Sequence, residues 1–189
     1  MAARRPPRGL PRGERAPQGG GLILPGAGAP GFDRPLDLLA ACHGRIRRFT
    51  AALRALAAPG AAFDAAAAAR VRTYFETAGR DHHADEEEDL FPRLRRLEPG
   101  LEALLARLAD EHRALERLWA RLAPGLEAEG RRDAHWRAAA AEWCERSEAH
   151  VALEDAELLP AARRLLRPDD LEALGRAMAA RRGVAYPEG

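Results

Sequence analysis

The chain has 189 residues, 47% hydrophobic but only 5% aromatic, and a net charge of +1. That length carries one domain with a full core rather than two, and so small a charge excludes bulk attraction to nucleic acid or anionic lipid. Two cysteines, Cys42 and Cys144, are too few for a disulfide framework, and no apolar run approaches the ~18 residues that span a bilayer.

Arg4-Arg5 is followed by proline and glycine where an export signal needs an apolar segment. The expected setting is therefore cytoplasmic, with no membrane or nucleic-acid partner. All 30 basic residues are arginine, and with the alanine excess this reads as a GC-rich coding bias.

Residues 1–34 are rich in Arg, Pro and Gly and have no helical period. Such a segment buries too little apolar surface to offset its ordering entropy, so a disordered N-terminal tail is expected, docked through Leu22-Ile23-Leu24 or Phe32. A first helix is predicted from Pro35 to Ala58, its stripe running through Leu36, Leu39, His43, Ile46, Leu53 and Leu56. Pro59-Gly60 ends it. A second runs from an Asp64 cap to Pro92, with Val71, Phe75, Ala78, His82, Glu86 and Leu90 inward.

The third opens at Pro99 and carries Leu101, Leu105, Leu108, His112, Leu115, Trp119 and Leu122 up to Pro124-Gly125. The fourth spans Arg132 to Leu159, with Trp136, Trp143, Ser147, His150, Glu154 and Leu158 on one face. A short fifth helix follows Pro168, with Asp169 and Glu172 at capping-box spacing and Gly183 at its end. The expected fold is all-α: an up-down-up-down four-helix bundle over 35–183, including the short C-terminal fifth helix, then a tail at 184–189.

One phrase occurs twice. His82, Glu86, Leu90, Phe91 and Pro92 are matched at identical offsets by His150, Glu154, Leu158, Leu159 and Pro160. Histidine and glutamate four apart share one helix face, and imidazole nitrogen beside carboxylate oxygen suits a borderline transition metal such as iron. Each long helix also has one histidine inside an otherwise apolar stripe: His43, His82, His112 and His150. A buried histidine must find partners, and a buried glutamate needs a proton, a cation or a metal.

In up-down topology all four histidines lie roughly 12 to 18 Å from the same bundle end, at ~1.5 Å per residue. They converge on one layer. Each half of the chain supplies a lone histidine and then a His–Glu pair, which points to two metals. Four imidazoles, two bridging carboxylates and an oxo or hydroxo bridge fill about ten of the twelve positions around two octahedral ions. The open positions suit a small molecule. Iron is favoured, with manganese or zinc possible.

At these residues the chain resembles the hemerythrin-like, or HHE cation-binding, family. The resemblance runs from about 31 to 183. It is carried by His82-His83-Ala84-Asp85-Glu86-Glu87 with Leu90-Phe91-Pro92, by the second copy from His150 to Pro160, and by Glu111-His112. Gly31-Phe32-Asp33, Cys42-His43 and Met178-Ala179-Ala180-Arg181-Arg182 belong to it as well. It implies a four-helix bundle around a non-haem di-iron centre that meets O2, NO or peroxide. The ligands it implies are His43, His82, Glu86, His112, His150 and Glu154, with both glutamates bridging.

One position departs from the oxygen carriers of that family, which place a further histidine one turn after the third-helix ligand. Here Glu116 stands there, as a candidate extra ligand or nearby base. More anionic oxygen around the pair favours the ferric state over reversible oxygen carriage.

Around the ligands, Glu87 and Asp155 occupy matching positions suited to anchoring imidazole N–H groups. Arg47 is placed to pair with Glu116 or another acid. His83 faces a neighbouring helix or solvent, and Glu88 and Asp89 read as a solvated face. His135 and the three tryptophans read as structural. The leading function is gas or redox sensing or scavenging at a di-iron site. A di-iron enzyme acting on peroxide or NO, an iron-handling or repair protein, and a metal-free interaction module are the alternatives. The sequence does not fix the oligomeric state.

Overall fold

The computed structural model describes residues 30–128 and 131–187, so the proposed docking segment Leu22-Ile23-Leu24 lies outside it. Four helical rods form the bundle. The first is α1 (Pro35–Ala57). It starts on a proline that suits the first turn and carries Asp37 where the helix dipole favours an anion. Its far end is closed by Gly60 at φ 75° and by the buried Arg132, which donates to the Leu56 carbonyl at 2.9 Å.

The second rod comprises α2 (Ala65–Glu76), α3 (Ala78–Ala84), a π-helical turn at Asp85–Leu90, and α4 (Phe91–Leu97). Asp64 caps it as expected, accepting from the Ala67 N–H at 2.8 Å. A kink at Thr77 interrupts the rod, where the sequence predicts one continuous helix. The Thr77 hydroxyl donates to the Thr73 carbonyl at 2.6 Å and competes with the backbone ladder.

A tight turn at Pro99–Leu101 leads into the third rod, α5 (Glu102–Leu122). The fourth is α6 (Ala134–Leu153), a π turn at Glu154–Leu158, and α7 (Leu159–Leu165). Helix α8 (Pro168–Arg181) follows, with Gly183 at φ 64° just past its end. Its cap lies earlier than the sequence suggests, since Asp170 rather than Glu172 reaches back to the Arg167 N–H, at 3.3 Å. The described residues form no strand.

Neither proline of the repeated phrase stops its helix, contrary to the sequence reading. A proline in a regular α-helix clashes with the carbonyl four residues back. In both rods the turn before the proline widens instead: Phe91 N–H donates to the Glu86 carbonyl, and Leu159 N–H to that of Glu154, five residues back. The helix then continues.

The widening has a second effect. Four residues overshoot an α-helical turn by about 40°, and the wider turn absorbs the drift, so His82, Glu86 and Leu90 all remain fully buried.

Two apolar clusters fill the bundle. One contains Leu39, Leu90, Phe91, Leu108, Leu158 and Met178. The other contains Ile46, Phe75, Leu115, Trp136, Trp143 and Val151. The polar layer lies between them on every rod. Trp136 and Trp143 are core residues whose Nε1 atoms donate to the Leu122 and Leu115 carbonyls.

Phe32 is buried against α8, as its proposed docking role requires. A β-carbon on Gly175 would meet the Phe32 carbonyl oxygen at 2.0 Å, so only glycine allows this approach. Both cysteines are free and buried, and no described helix is long and apolar enough to cross a membrane.

Candidate metal centre

The six side chains singled out by spacing meet in one layer. His43, His82, Glu86, His112 and Glu154 have no solvent exposure, and His150 has 3%. Their ligating atoms form two groups of four: His43, His82, Glu86 and Glu154, and then Glu86, His112, His150 and Glu154, with all atoms of a group within 4.8 Å of one another. Both glutamates belong to both groups.

Each carboxylate is divided between the two histidine pairs. Glu154 Oε2 lies 3.3 Å from His43 Nε2 and 4.0 Å from His82 Nε2, while its Oε1 lies 2.9 Å from His150 Nε2 and 3.7 Å from His112 Nε2. Glu86 Oε1 is 3.5 Å from His82 Nε2, and its Oε2 is 3.4 Å from His112 Nε2. Ligands at right angles about 2.1 Å from one ion stand about 3 Å apart. The two sets of separations therefore suit two ions bridged by both carboxylates.

The outer nitrogens explain why the inner ones face the centre. Asp155 accepts from His43 Nδ1 at 2.6 Å, Glu87 from His112 Nδ1 at 2.7 Å, and Glu111 from His150 Nδ1 at 2.9 Å. A carboxylate on Nδ1 fixes that nitrogen as the donor and leaves the Nε2 lone pair inward. Four imidazole Nε2 atoms and all four oxygens of Glu86 and Glu154 are buried without a hydrogen-bond partner. Buried polar atoms are normally satisfied. So many inward donor atoms in one place fit a metal pair.

Protonation is unfavourable to balance here without a cation. Burial, and then the like charge of Glu154, push the Glu86 carboxyl well above its usual range. Burial also lowers His82 to about 4. Burial works against the His112 cation too, but the Glu154 and Glu86 carboxylates facing it and its hydrogen bond to Glu87 win and hold it up to about 11. Glu154 resists the effect of burial through its contacts with His112, His150 and His82 and stays well below the ordinary carboxylate value. Metal ions take the place of such trapped protons.

The sequence profile of the hemerythrin HHE cation-binding domain matches residues 34–162. The chain belongs to that family. An uncharacterised protein of Haemophilus influenzae is also similar, 30% identical over 161 residues that cover 81% of this chain and 92% of its own length. Helix α8 of this hemerythrin-like chain lies beyond the matched segment.

The remaining sequence candidates fall out as follows. Glu116 is exposed and joins neither group of ligating atoms. At this level α5 turns Leu115 toward the core, and the residue after it faces outward. Arg47 pairs with Asp155 at 2.5 Å rather than with Glu116. Glu87 and Asp155 anchor imidazoles as their positions suggest, whereas Glu111 is an anchor that the sequence reading missed. Its adjacency to His112 was the available signal.

His83 lies closer to the centre than its helix position implies. Its ring is stacked on that of His112, with 3.9 Å between centroids and 13° between planes. It also groups with His112 and His150. An imidazole lone pair lies in the ring plane, so two stacked rings cannot direct theirs at the same ion. His83 is a wall of the site. Beyond it lies a cavity of about 340 Å³ lined by Ile46, Phe75, His83, Leu115, Trp119 and His150, with Glu116 on its lining as well. His135 is exposed and outside the layer.

Proposed function

We propose that this hemerythrin-like domain holds two iron ions in the His43–His82 and His112–His150 halves of the layer and uses them to sense or scavenge O2, NO or peroxide. The carrying observation is the division of Glu86 and Glu154, each with one oxygen toward either histidine pair. Imidazole and carboxylate together suit iron, with manganese and zinc next. Bound iron supplies redox chemistry and an exchangeable position for a small ligand.

The chain's own residues do the rest. Asp155, Glu87 and Glu111 orient three imidazoles, Glu86 and Glu154 would hold both ions, and the largely apolar cavity ending on His83 and His150 gives a diatomic molecule an approach to the layer. With Glu116 outside, the layer offers two carboxylates, and one imidazole fewer than the oxygen carriers have. That leaves a further position open to a small ligand and favours a reactive or sensing role over reversible carriage.

The test is iron analysis of protein produced with ample iron, followed by azide titration read in the near-ultraviolet. Two irons per chain and a new azide-dependent band are expected. One ion or none after reconstitution overturns the reading. Turnover with peroxide or NO then separates an enzyme from a binder.

A further inference from the structure

Among the described residues, the densest ionic contact outside the ligand layer joins the end of α8 to the π turn carrying Glu86. Asp85, the residue before Glu86, is fully buried. Its Oδ2 accepts from Arg182 Nη2 at 2.7 Å, and its Oδ1 accepts from Arg182 Nη1 at 3.0 Å and Arg181 Nη1 at 2.9 Å. Arg181 continues to Asp89 at 2.8 Å and Glu88 at 2.6 Å. Arg182 also donates to the Met178 carbonyl at 2.9 Å, which ties its side chain to its own helix. The Arg182 and Arg181 side chains are only 10% and 18% exposed.

The internal repeat makes this contact informative. Aligning His82 with His150 places Asp81, Asp85 and Glu88 against Ala149, Leu153 and Ala156. The ligands are kept in both copies, but these acids occur only in the copy that α8 packs against. Their presence is therefore explained by the two arginines and not by metal ligation. A π turn is rare and occurs mostly as a single turn interrupting an α-helix, so Glu86 sits on backbone that gains from an outside hold. A bidentate guanidinium–carboxylate pair fixes both distance and plane.

We infer that Arg181 and Arg182 are positioning residues of the metal centre, acting through Asp85 to lock the π turn that presents Glu86. The C-terminal helix, which the matched profile segment 34–162 does not reach although Arg181-Arg182 carry part of the sequence resemblance, is thereby part of the site. The inference rests on the reading of Glu86 as a bridging ligand.

The test uses the full chain. In the metal-free protein, Arg182→Ala should speed amide hydrogen exchange in residues 85–91 and leave 154–159 unchanged. In the iron-loaded protein it should speed iron loss to bipyridine by about tenfold, the usual cost of losing a support behind a ligand. It should also shift the near-ultraviolet band. Arg182→Lys, which can make one of the two bonds, should fall between, and Arg176→Ala on the same helix should do nothing.

Should Arg182→Ala fail to fold, Asp85→Asn keeps the volume and carries the same expectations. Unchanged exchange and iron loss, or equal loosening of both π turns, overturns the inference. Absence of iron in the unmodified protein would instead sink the metal reading itself.

Discussion

The Nδ1 atom of His43 lies 2.6 Å from Asp155 Oδ1, on the residue that follows Glu154. The same relation joins His112 to Glu87, the neighbour of Glu86. Each half thus uses one helix for two tasks, setting one carboxylate between the histidine pairs and orienting a partner helix's imidazole with the next. Asp155→Ala and Glu87→Ala should each weaken metal binding by about tenfold to a hundredfold, measured by competition with a chelator. Helix content should stay unchanged, because both carboxylates are partly exposed. Equal affinity in the variants would show that the anchors do not orient the ligands.

The metal-free protein should lose stability as pH rises. His112, ordinarily near 6.5, is held up to about 11 by its carboxylate partners against the cost of burial. Its contribution is complete below pH 6.5 and is lost as pH climbs toward 11, because the unfolded chain gives up that proton earlier. Glu86 acts in the same direction, staying protonated in the folded state where the unfolded chain is already ionised. The urea midpoint of metal-free protein should therefore fall between pH 7 and pH 9. Iron-loaded protein, whose ions replace these protons, should change less. A metal-free midpoint that is flat or rises over that window would contradict the shifts.

Glu86→Gln should separate stability from metal binding. Burial and the charge of Glu154 both disfavour an ionised Glu86, and glutamine is the neutral shape of the same side chain. The metal-free variant should gain stability in denaturant unfolding at pH 7, because the neutral amide has no charge to bury beside Glu154. It should nonetheless lose the paired metal content. Glu157→Ala, exposed on the other π turn, should keep both. A destabilised Glu86→Gln protein would mean that the carboxylate is already satisfied without a metal.

Features confined to one helix were legible in the sequence, and features between helices largely were not. His82–Glu86 and His150–Glu154 follow from the helical repeat alone, and their common depth follows from rod lengths. By contrast, the pairing of Glu111 with His150 and of Arg182 with Asp85 depends on how far each rod is rotated about its axis. The stacking of His83 on His112 does so too. The prolines misled for a different reason. Pro92 and Pro160 disrupt a regular helix, but a π turn placed before them removes the conflict, and that turn also keeps the ligands facing inward. Glu116 misled because α5 is rotated so that Leu115, and not the residue after it, meets the core at that level.

Gly175→Ala tests how firmly α8 must seat. The added β-carbon would stand 2.0 Å from the Phe32 carbonyl oxygen and 3.0 Å from the Tyr186 ring. Backbone cannot yield as a flexible side chain does, so the segment around Phe32 or the helix itself must move. Overpacking of this kind costs about 1 to 3 kcal/mol, which should appear as a lower denaturation midpoint. Because Arg181 and Arg182 leave the end of that helix, iron loss should also quicken, and Arg176→Ala on the same helix should show neither effect. A lowered midpoint with unaltered iron retention would place the seating of α8 in stability alone and leave the arginine contacts intact despite the shift.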